Sequence, residues 1–402
     1  MRKVYLIIIA IVLYSSLFSQ SDKKSENKQK PRLDISALIH SDIIYDIKQM
    51  HPDWIGGFRP SQIPIYITDP GWGTYGHTYF SMRQSTFKFS GFLPTKSKYG
   101  DIHLRFTFDL FGMGVHAGET TLRFRTAYGE WGPYMFGQNW STFIDLEAFP
   151  NNWDWWGPAG MALLPAPMFR YTHNFSKKRR IEMAIELPGS VVDPGQIRKI
   201  DPTLVNLISK EVLPDFIVRY TEKGDWGFIK TAVLLRQLSY EVISQQYNTH
   251  SINNIFGWGV NFTSAINMFN KRGKVKVQTA FGNGYAGYSN DSGVEIAPDA
   301  HFHPQTPFQY GFVTAYDFNI NKKWETSIVY SESVQENSDG QMFDAFHRSQ
   351  YFLTQLIYNA YQDKVRLGLS YMWGKRFNKD GNSADDSRVV FSVRFFIDSN
   401  TK

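Results

Sequence analysis

The sequence predicts an all-β protein, a transmembrane antiparallel β-barrel of about 16 strands. Three observations predict it. Apolar and polar residues alternate along many segments, the connections between those segments are alternately short and long, and aromatic residues lie beside the short connections. Beyond the N-terminus no segment is apolar enough for a membrane-spanning helix, so insertion into a membrane must use strands.

The alternation is clear in segment 99–112. Leu104 and Phe106 belong to an apolar face of a strand, and Arg105 and Asp109 belong to its polar face. In a soluble sheet the apolar face would meet a core. In an outer-membrane barrel it meets lipid, and the polar face looks into a wet lumen. One strand does not distinguish these structures, but the connections along the whole chain do.

About 16 segments have the alternation and length of strands: 33–46, 78–93, 99–111, 118–131, 132–140, 165–175, 179–188, 211–222, 225–239, 254–268, 273–283, 307–319, 323–335, 349–361, 363–375 and 387–397. Every second connection is short: 94–98, 132–133, 176–178, 223–225, 270–273, 319–322 and 362–364. Those between them are mostly long, including 47–77, 141–164, 188–210, 240–253 and 284–306. Short periplasmic turns and long extracellular loops are typical of outer-membrane barrels.

Composition agrees with a barrel. Aromatic residues make up 16% of the chain, yet the mean hydropathy is negative. This combination favours rings at the membrane boundary over a packed soluble core, and such rings lie beside short turns at Tyr99, Trp131, Trp226 and Trp324. The formal net charge of +6 is a modest basic bias and predicts no nucleic-acid partner.

The chain divides into four parts. Residues 1–19 read as a signal peptide, because Arg2 and Lys3 precede a short apolar stretch and Ser19 is a small residue at a plausible cleavage point. Residues 20–32 form a polar periplasmic tail, 33–397 the barrel, and 398–402 a C-terminal tail. Segment 201–215 overlaps the end of the long loop 188–210. It begins with Asp–Pro, which predicts a short helix in the loop.

Arginines recur on the faces predicted to look inward. In segment 118–131 the alternation assigns Arg123, Arg125, Ala127 and Gly129 to that face, and Leu122, Phe124, Thr126 and Tyr128 to the other. Adjacent strands would align several guanidinium groups as a cationic ladder on one wall. The candidate pathway residues are Arg83, Arg105, Arg123, Arg125, Arg170 and Asp109. The alternative is that nearby carboxylates neutralise these arginines in a structural network.

Segment 141–164 is too apolar and too rich in tryptophan for a solvated surface loop. Folded into the lumen it would act as a constriction loop, with Asp145, Glu147 and Asp154 opposite the arginines. A transverse field of this kind orients dipolar solutes and excludes bulky ones. Alternatively, the tryptophans only pack the loop against the wall.

Four stretches resemble the DcaP-like outer-membrane porins: MRQSTFKFSG at 82–91, FTFDLFGMG at 106–114, TTLRFRTAYGEWG at 120–132 and FGQNWSTFIDLEAFPNNWDWWGPAGM at 136–161. The resemblance implies a homotrimeric channel of sixteen strands in the outer membrane of a Gram-negative bacterium. It implies outer-membrane lipid as surroundings and small anionic solutes such as dicarboxylates as cargo. By position, Arg83, Arg105, Arg123 and Arg125 match the basic lumen residues of that family.

Two other functions remain open at this point. An outer-membrane barrel hydrolase would need a Ser–His–acid set, and the scattered histidines show none. A surface scaffold or adhesin would use the long loops as its working part. We expect no enzymatic activity and no cofactor. We also expect no metal, because the chain lacks cysteine and the HFH sequence at 301–303 has no clear third ligand.

Overall fold

A computed structural model describes residues 30–154, 156–187, 189, 206–210, 212–244, 249–301 and 303–398. The predicted signal peptide 1–19, most of the tail 20–32 and the last residues 399–402 lie outside this part of the chain. Among the described residues, no helix has the length and apolar character needed to cross a membrane.

The described residues form one closed antiparallel barrel of 16 strands, which confirms the predicted fold class. The ring closes because β1 pairs with the last strand as well as with β2, so that Asp42 lies opposite both Ser392 and Ser81. The strands are β1 (Arg32–Asp46), β2 in two parts (His77–Ser81 and Thr86–Leu93), β3 (Ile102–Phe111), β4 (Thr120–Trp131), β5 (Tyr134–Trp140), β6 (Pro165–Asn174), β7 (Arg179–Glu186), β8 (Asp215–Gly224), β9 (Gly227–Ser244), β10 (Thr249–Met268), β11 (Gly273–Asn283), β12 (Phe308–Asn319), β13 (Trp324–Gln335), β14 (Phe346–Tyr361), β15 (Val365–Asn378) and β16 (Ser383–Asp398).

The connections are sorted by rim as predicted. Short turns form one rim, at 94–101, 132–133, 175–178, 225–226, 269–272, 320–323 and 362–364. The other rim carries 47–76, 112–119, 141–164, 187–214, 284–307, 336–345 and 379–382. We call these the short-turn rim and the long-loop rim. Short 3₁₀ turns lie in several of the longer connections, at Pro52–Trp54, Pro60–Gln62, Gly114–His116, Leu146–Ala148 and Ala286–Tyr288.

Two expectations for the long-loop rim are wrong. The described parts of the expected long loop 240–253 are strand instead, since β9 runs to Ser244, β10 begins at Thr249, and the two strands pair as far as Ser244↔Thr249. Residues 245–248 lie outside the described part. The helix at 201–215 is also absent where the structure describes it. Asn206–Ser209 forms a short strand on β9, because the extended β9 offers free backbone groups beyond the end of β8. Residues 201–205 and 211 lie outside the described part.

Strand β2 is interrupted where the sequence predicts one continuous strand. Residues 82–85 leave the ladder, and the two halves pair with β1 through Asp42↔Ser81 and Leu38↔Thr86. The chain therefore advances by five residues along β2 while it advances by four along β1. The extra residue reverses which side chains of β2 face inward beyond the break. Lys88 consequently shares the inward face, although uninterrupted alternation from Arg83 would place Phe87 and Phe89 there.

A β-bulge in β4 has the same effect. The pairing passes from Thr107↔Thr126 to Phe108↔Phe124, so Arg125 is an extra residue in the ladder. Thr126 is 3% exposed inside the barrel. The prediction that Thr126 and Tyr128 face outward is therefore wrong, because the alternation restarts at the bulge.

The interior toward the long-loop rim is filled by folded-in loops. Phe58 and Ile63 of loop 47–76 are fully buried against strand residues such as Tyr351. Phe143 and Ile144 of loop 141–164 form a second apolar cluster with residues of β8 and β9. The outer face presents aromatic rings at the short-turn rim, for instance Tyr99 packed 5.2 Å from Trp131 and Trp324 packed 4.7 Å from Tyr358. The barrel thus has a filled half and a more open half.

Candidate functional site

Loop 141–164 leaves the end of β5 and crosses the barrel interior. Its first residues are fixed by side chains of β8 and β10. Arg219 donates to the carbonyl oxygen of Ile144 at 2.6 Å, and the Asn261 amide donates to that of Phe143 at 2.7 Å. Backbone groups in the loop are thereby satisfied by the wall, which a loop in open solvent would not need.

The middle of the loop reaches strands farther round the barrel. The Asn151 backbone N–H donates to the Asp317 carboxylate of β12 at 3.1 Å, and the Trp153 N–H donates to Gln355 of β14 at 3.1 Å. Gly160 then lies directly on β12 and β13, where a Cβ atom would be 2.1 Å from the Glu332 carbonyl oxygen of β13 and 2.5 Å from that of Phe312 of β12. The loop therefore spans the interior from one wall to another.

Asp145 and Glu147 face cations of the strands. Lys230 contacts Asp145 and lies 2.9 Å from a Glu147 carboxylate oxygen, while Lys223 donates to Glu147 at 2.6 Å. Thr263 adds a hydrogen bond to Asp145 at 2.8 Å. Partial burial by itself would raise the pKa of Glu147. The ammonium groups of Lys223 and Lys230 have the larger combined effect, and they lower the pKa of this carboxyl to about 2.

Asp154 has different surroundings from those of Asp145 and Glu147. It is 2% exposed and accepts hydrogen bonds at 3.0 Å from the backbone N–H groups of Phe58 and Gly157 and from the Tyr351 hydroxyl. Burial raises the pKa of Asp154 despite these donors. Its carboxylate joins loop 47–76, loop 141–164 and β14, and Asp154 also lines a cavity that contains Arg125.

A cavity of about 310 Å³ lies between the start of the loop and the walls, on the side of the short-turn rim. We call it the basic cavity. Two carboxylates line it, those of Asp145 and Glu147, against six cationic side chains: Lys88, Arg105, Arg170, Arg180, Arg219 and Lys230. Each of these cations comes from a different strand: β2, β3, β6, β7, β8 and β9.

Arg105 and Lys88 are the least compensated of these cations. Arg105 is solvent-exposed, and within the described part of the chain neither side chain lies within ion-pair distance of a carboxylate. Arg105 lies opposite Tyr128 in the ladder, and Ser90, two residues from Lys88, is its partner on β2. The two cations therefore occupy adjacent strands on one wall.

Arg123 and Arg125 occupy a different place. Arg123 binds Asp109 with two hydrogen bonds, of 3.0 and 2.6 Å, and Arg125 Nε lies 3.3 Å from the same carboxylate. Asp109 is fully buried. The predicted ladder is therefore divided. Arg105 lies nearer the short-turn rim, whereas Arg123 and Arg125 lie nearer the long-loop rim and share Asp109 as their counter-ion.

Arg83 lies at the break in β2 and is 3% exposed. Its guanidinium donates to the carbonyl oxygens of Asp53 at 3.2 Å and Gly112 at 3.0 Å, and it lies 3.8 Å from the centre of the Phe111 ring. These contacts tie loop 47–76 to the end of β3. Arg83 is thus separated from the basic cavity.

Arg170 does line the basic cavity, together with two arginines that the sequence analysis missed. Glu182 binds Arg219 with two hydrogen bonds of 2.8 and 2.7 Å, and it is 3.3 Å from Arg180 and 4.0 Å from Arg170. The Glu182 carboxylate thus lies within ion-pair distance of three guanidinium groups. The alternation of charged residues in 179–186 and 215–224 could have indicated Arg180 and Arg219, whereas Lys88 was hidden by the break in β2.

A second cavity, of about 400 Å³, flanks the loop on the side of β1 and β16 and includes Arg125, His40 and Arg394. His40 Nε2 is 2.7 Å from Asp42, and its Nδ1 accepts a hydrogen bond from Arg394 at 3.1 Å. Both ring nitrogens are therefore occupied. Trp140 and Leu146 line this cavity and the basic cavity alike, so the two spaces adjoin.

Comparison with solved structures finds the same architecture. The outer-membrane channel DcaP of Acinetobacter baumannii superimposes with a TM-score of 0.77 at 18% identity, covering 94% of this chain and 100% of the other. An anion-selective porin from Comamonas acidovorans gives 0.53 at 7% identity over 92% and 100%. OmpT, an outer-membrane protein of Vibrio cholerae, gives 0.53 in its trimer form at 8% identity over 92% and 100%. No protein-family model matches the chain, and no curated protein does either.

The chain has the fold of an outer-membrane porin, and the resemblance to DcaP-like porins is confirmed at the level of the fold. In barrels of this type the short turns face the periplasm and the long loops face the exterior. The basic cavity lies on the short-turn side of loop 141–164, and the filled half of the barrel lies on the long-loop side.

Proposed function

We propose that the protein is an outer-membrane diffusion channel for small anionic solutes, including dicarboxylates. The observation that carries this proposal is the basic cavity, where six cationic side chains face two carboxylates beside a loop that crosses the lumen. Fixed cations in a narrow space with low-dielectric walls raise the local concentration of anions.

Arg105, Lys88, Arg170 and Arg180 are the proposed ion-pathway residues. Arg105 and Lys88 support anion binding most directly, because each lies on the cavity wall and pairs with no carboxylate of the described ranges. The carboxylate of a solute would accept two hydrogen bonds from the planar guanidinium group of Arg105. A second carboxylate group on the same solute would reach the cations on the neighbouring strands.

Loop 141–164 is the proposed constriction. Asp145 and Glu147 are held on its inner side by Lys223 and Lys230, opposite the wall that carries Arg105. The resulting transverse field would align dipolar solutes as they pass. Asp154 contributes indirectly, since it fixes the part of the loop that spans the interior.

We further propose that the barrel lies in the outer membrane of a Gram-negative bacterium and assembles as a homotrimer. Large apolar side chains are exposed on its outer face, including Phe80, Phe136 and Leu122, which are 69%, 74% and 63% exposed. Such a surface needs lipid or another subunit to cover it. Chemical cross-linking of the protein in its native membrane should give a species of three copies.

A hydrolase is less well supported than a channel. The buried His40 uses one ring nitrogen for Asp42 and the other for Arg394, so it has none left for a serine hydroxyl. We therefore propose no enzymatic activity and no cofactor. A surface scaffold would not require an excess of cations deep in the lumen.

Reconstitution of the purified protein in planar bilayers under a salt gradient tests the proposal. We expect discrete conductance steps and a reversal potential of the sign that anion permeation gives. A four-carbon dicarboxylate added to one side should reduce the chloride current, because it would compete for the cations of the basic cavity. Absence of conductance, or a reversal potential of the opposite sign, would contradict the proposal.

A further inference from the structure

A second basic space lies at the periplasmic rim and shares one lining residue, Arg180, with the basic cavity. It has a volume of about 460 Å³ and is formed by turn 175–178, the start of β7 and the end of β8. We call it the rim pocket. Its cationic side chains are Lys177, Lys178, Arg179, Arg180 and Lys223, and no carboxylate lines it among the described residues.

The charges of the rim pocket are only partly compensated from outside. Arg179 is paired with Glu222 at 2.9 Å, Arg180 with Glu182 at 3.3 Å, and Lys223 with Glu147. Lys177 and Lys178 are exposed and have no carboxylate within ion-pair distance in the described part of the chain. Asn174, Ser176 and Thr221 add neutral polar groups to the lining.

The position of the rim pocket relative to the membrane is marked by aromatic rings. Phe175 and Trp226 lie in the two turns that flank it and are 61% and 44% exposed. Exposed rings beside barrel turns settle at the level where acyl chains give way to headgroups. Lipid phosphates lie just beyond that level, as do soluble anions that enter or leave the periplasmic mouth.

We infer that the rim pocket binds a phosphate group, carried by an anionic phospholipid of the inner leaflet or by a soluble phosphate ester. Several ammonium and guanidinium groups converging on one space suit a compact, multiply charged anion with three or four acceptor oxygens. Hydroxyl and amide groups in the lining can donate to the oxygens that the cations leave free. The site is separate from Arg105 and Lys88 and stands independently of the solute that the channel passes.

Binding to the full chain in zwitterionic detergent tests the inference with two probes. Native mass spectrometry would detect retained phosphatidylglycerol, with phosphatidylcholine as the neutral comparison. Titration calorimetry would measure glycerol phosphate. The test variant is Lys177→Gln/Lys178→Gln. The matched control is Lys322→Gln/Lys323→Gln, which removes the same charge from another exposed turn of the same rim, 320–323.

We expect the unmodified protein to bind at least one probe, and Lys177→Gln/Lys178→Gln to weaken that binding by about tenfold or more. The control should change it by less than about twofold. Binding of phosphatidylglycerol alone would assign the site to lipid, and binding of glycerol phosphate would assign it to soluble esters. The inference is overturned if neither probe binds, or if the two double variants lose equal affinity. Lys177→Gln alone, which changes one exposed side chain, repeats the test should the double variant fold poorly.

Discussion

Cationic side chains have different partners in the two halves of the barrel interior. Toward the long loops, arginines are buried with carboxylates: Arg388 lies 2.7 Å from Asp46, both 1% exposed, and Arg59 lies 3.1 Å from the buried Asp291. Toward the short turns, Arg105 and Lys88 line open space, and no carboxylate of the described residues is paired with either. The same residue type thus holds loops together in one half and is available to a solute in the other.

The largest expected effect concerns the filled half. Asp154→Ala would leave two backbone N–H groups and the Tyr351 hydroxyl buried without their acceptor, so the protein should lose about 3 kcal/mol or more of its free energy of unfolding. Loops 47–76 and 141–164 would also lose the hydrogen bond between Asp154 and Phe58, one of the contacts that join them, so the single-channel conductance should rise. Urea unfolding in lipid vesicles and bilayer recordings would measure the two effects.

Asp344→Ala is the matched control for this change, because Asp344 is an exposed carboxylate on the same rim. It should alter the free energy of unfolding by less than about 0.5 kcal/mol. Equal unfolding midpoints for the Asp154 variant and the unmodified protein would remove the distinction between the two halves, since the buried carboxylate would then hold nothing in place.

A smaller effect concerns Glu147, at the boundary between the halves. Its pKa is lowered in the folded protein from 4.5 to about 2, so its stabilising contribution is complete above its unfolded pKa and is lost as the pH falls toward its folded pKa. The difference in unfolding midpoint between the unmodified protein and Glu147→Gln should therefore be constant from about pH 7 to 5 and shrink from about pH 4 to 2.

Glu336→Gln provides the comparison for this pH series, because Glu336 is exposed and its side chain has no ion pair within the described part of the chain. Its midpoint should follow that of the unmodified protein at every pH. If the Glu147 difference instead stayed constant down to about pH 2, the lysines would not be stabilising this carboxylate in the folded state.

The fold could be predicted from the sequence because the alternation of apolar and polar residues within each strand reflects the lipid on one side and the interior on the other. Alternation, turn residues and the difference in loop length are all short-range properties, and they gave every barrel strand. The exceptions arose from long-range pairing. Asn206–Ser209 is a strand because the neighbouring β9 extends past β8, which a local Asp–Pro signal does not reveal.

The candidate site was less predictable, for two physical reasons. An alternation pattern keeps its phase only until an extra residue enters the ladder, and such residues at the β2 break and at Arg125 reassigned Lys88 and Thr126. A sequence also does not show which carboxylate neutralises which cation. Asp109 pairs with Arg123 and Arg125, whereas Arg105, four residues before Asp109, has no carboxylate partner in the part of the chain that the structure describes.

The most direct test of the account compares Arg105→Gln with Arg123→Gln. Both remove one positive charge from inward faces of adjacent strands, but Arg105 lines the basic cavity and Arg123 is bound to Asp109 outside it. The measurement is the reversal potential in planar bilayers under a salt gradient. Arg105→Gln should reduce the anion-to-cation permeability ratio by about threefold, and Arg123→Gln by less than half as much, with both differences fading at about 1 M salt. An equal or larger change for Arg123→Gln would contradict the claim that the unpaired cations of the short-turn half set the ion preference.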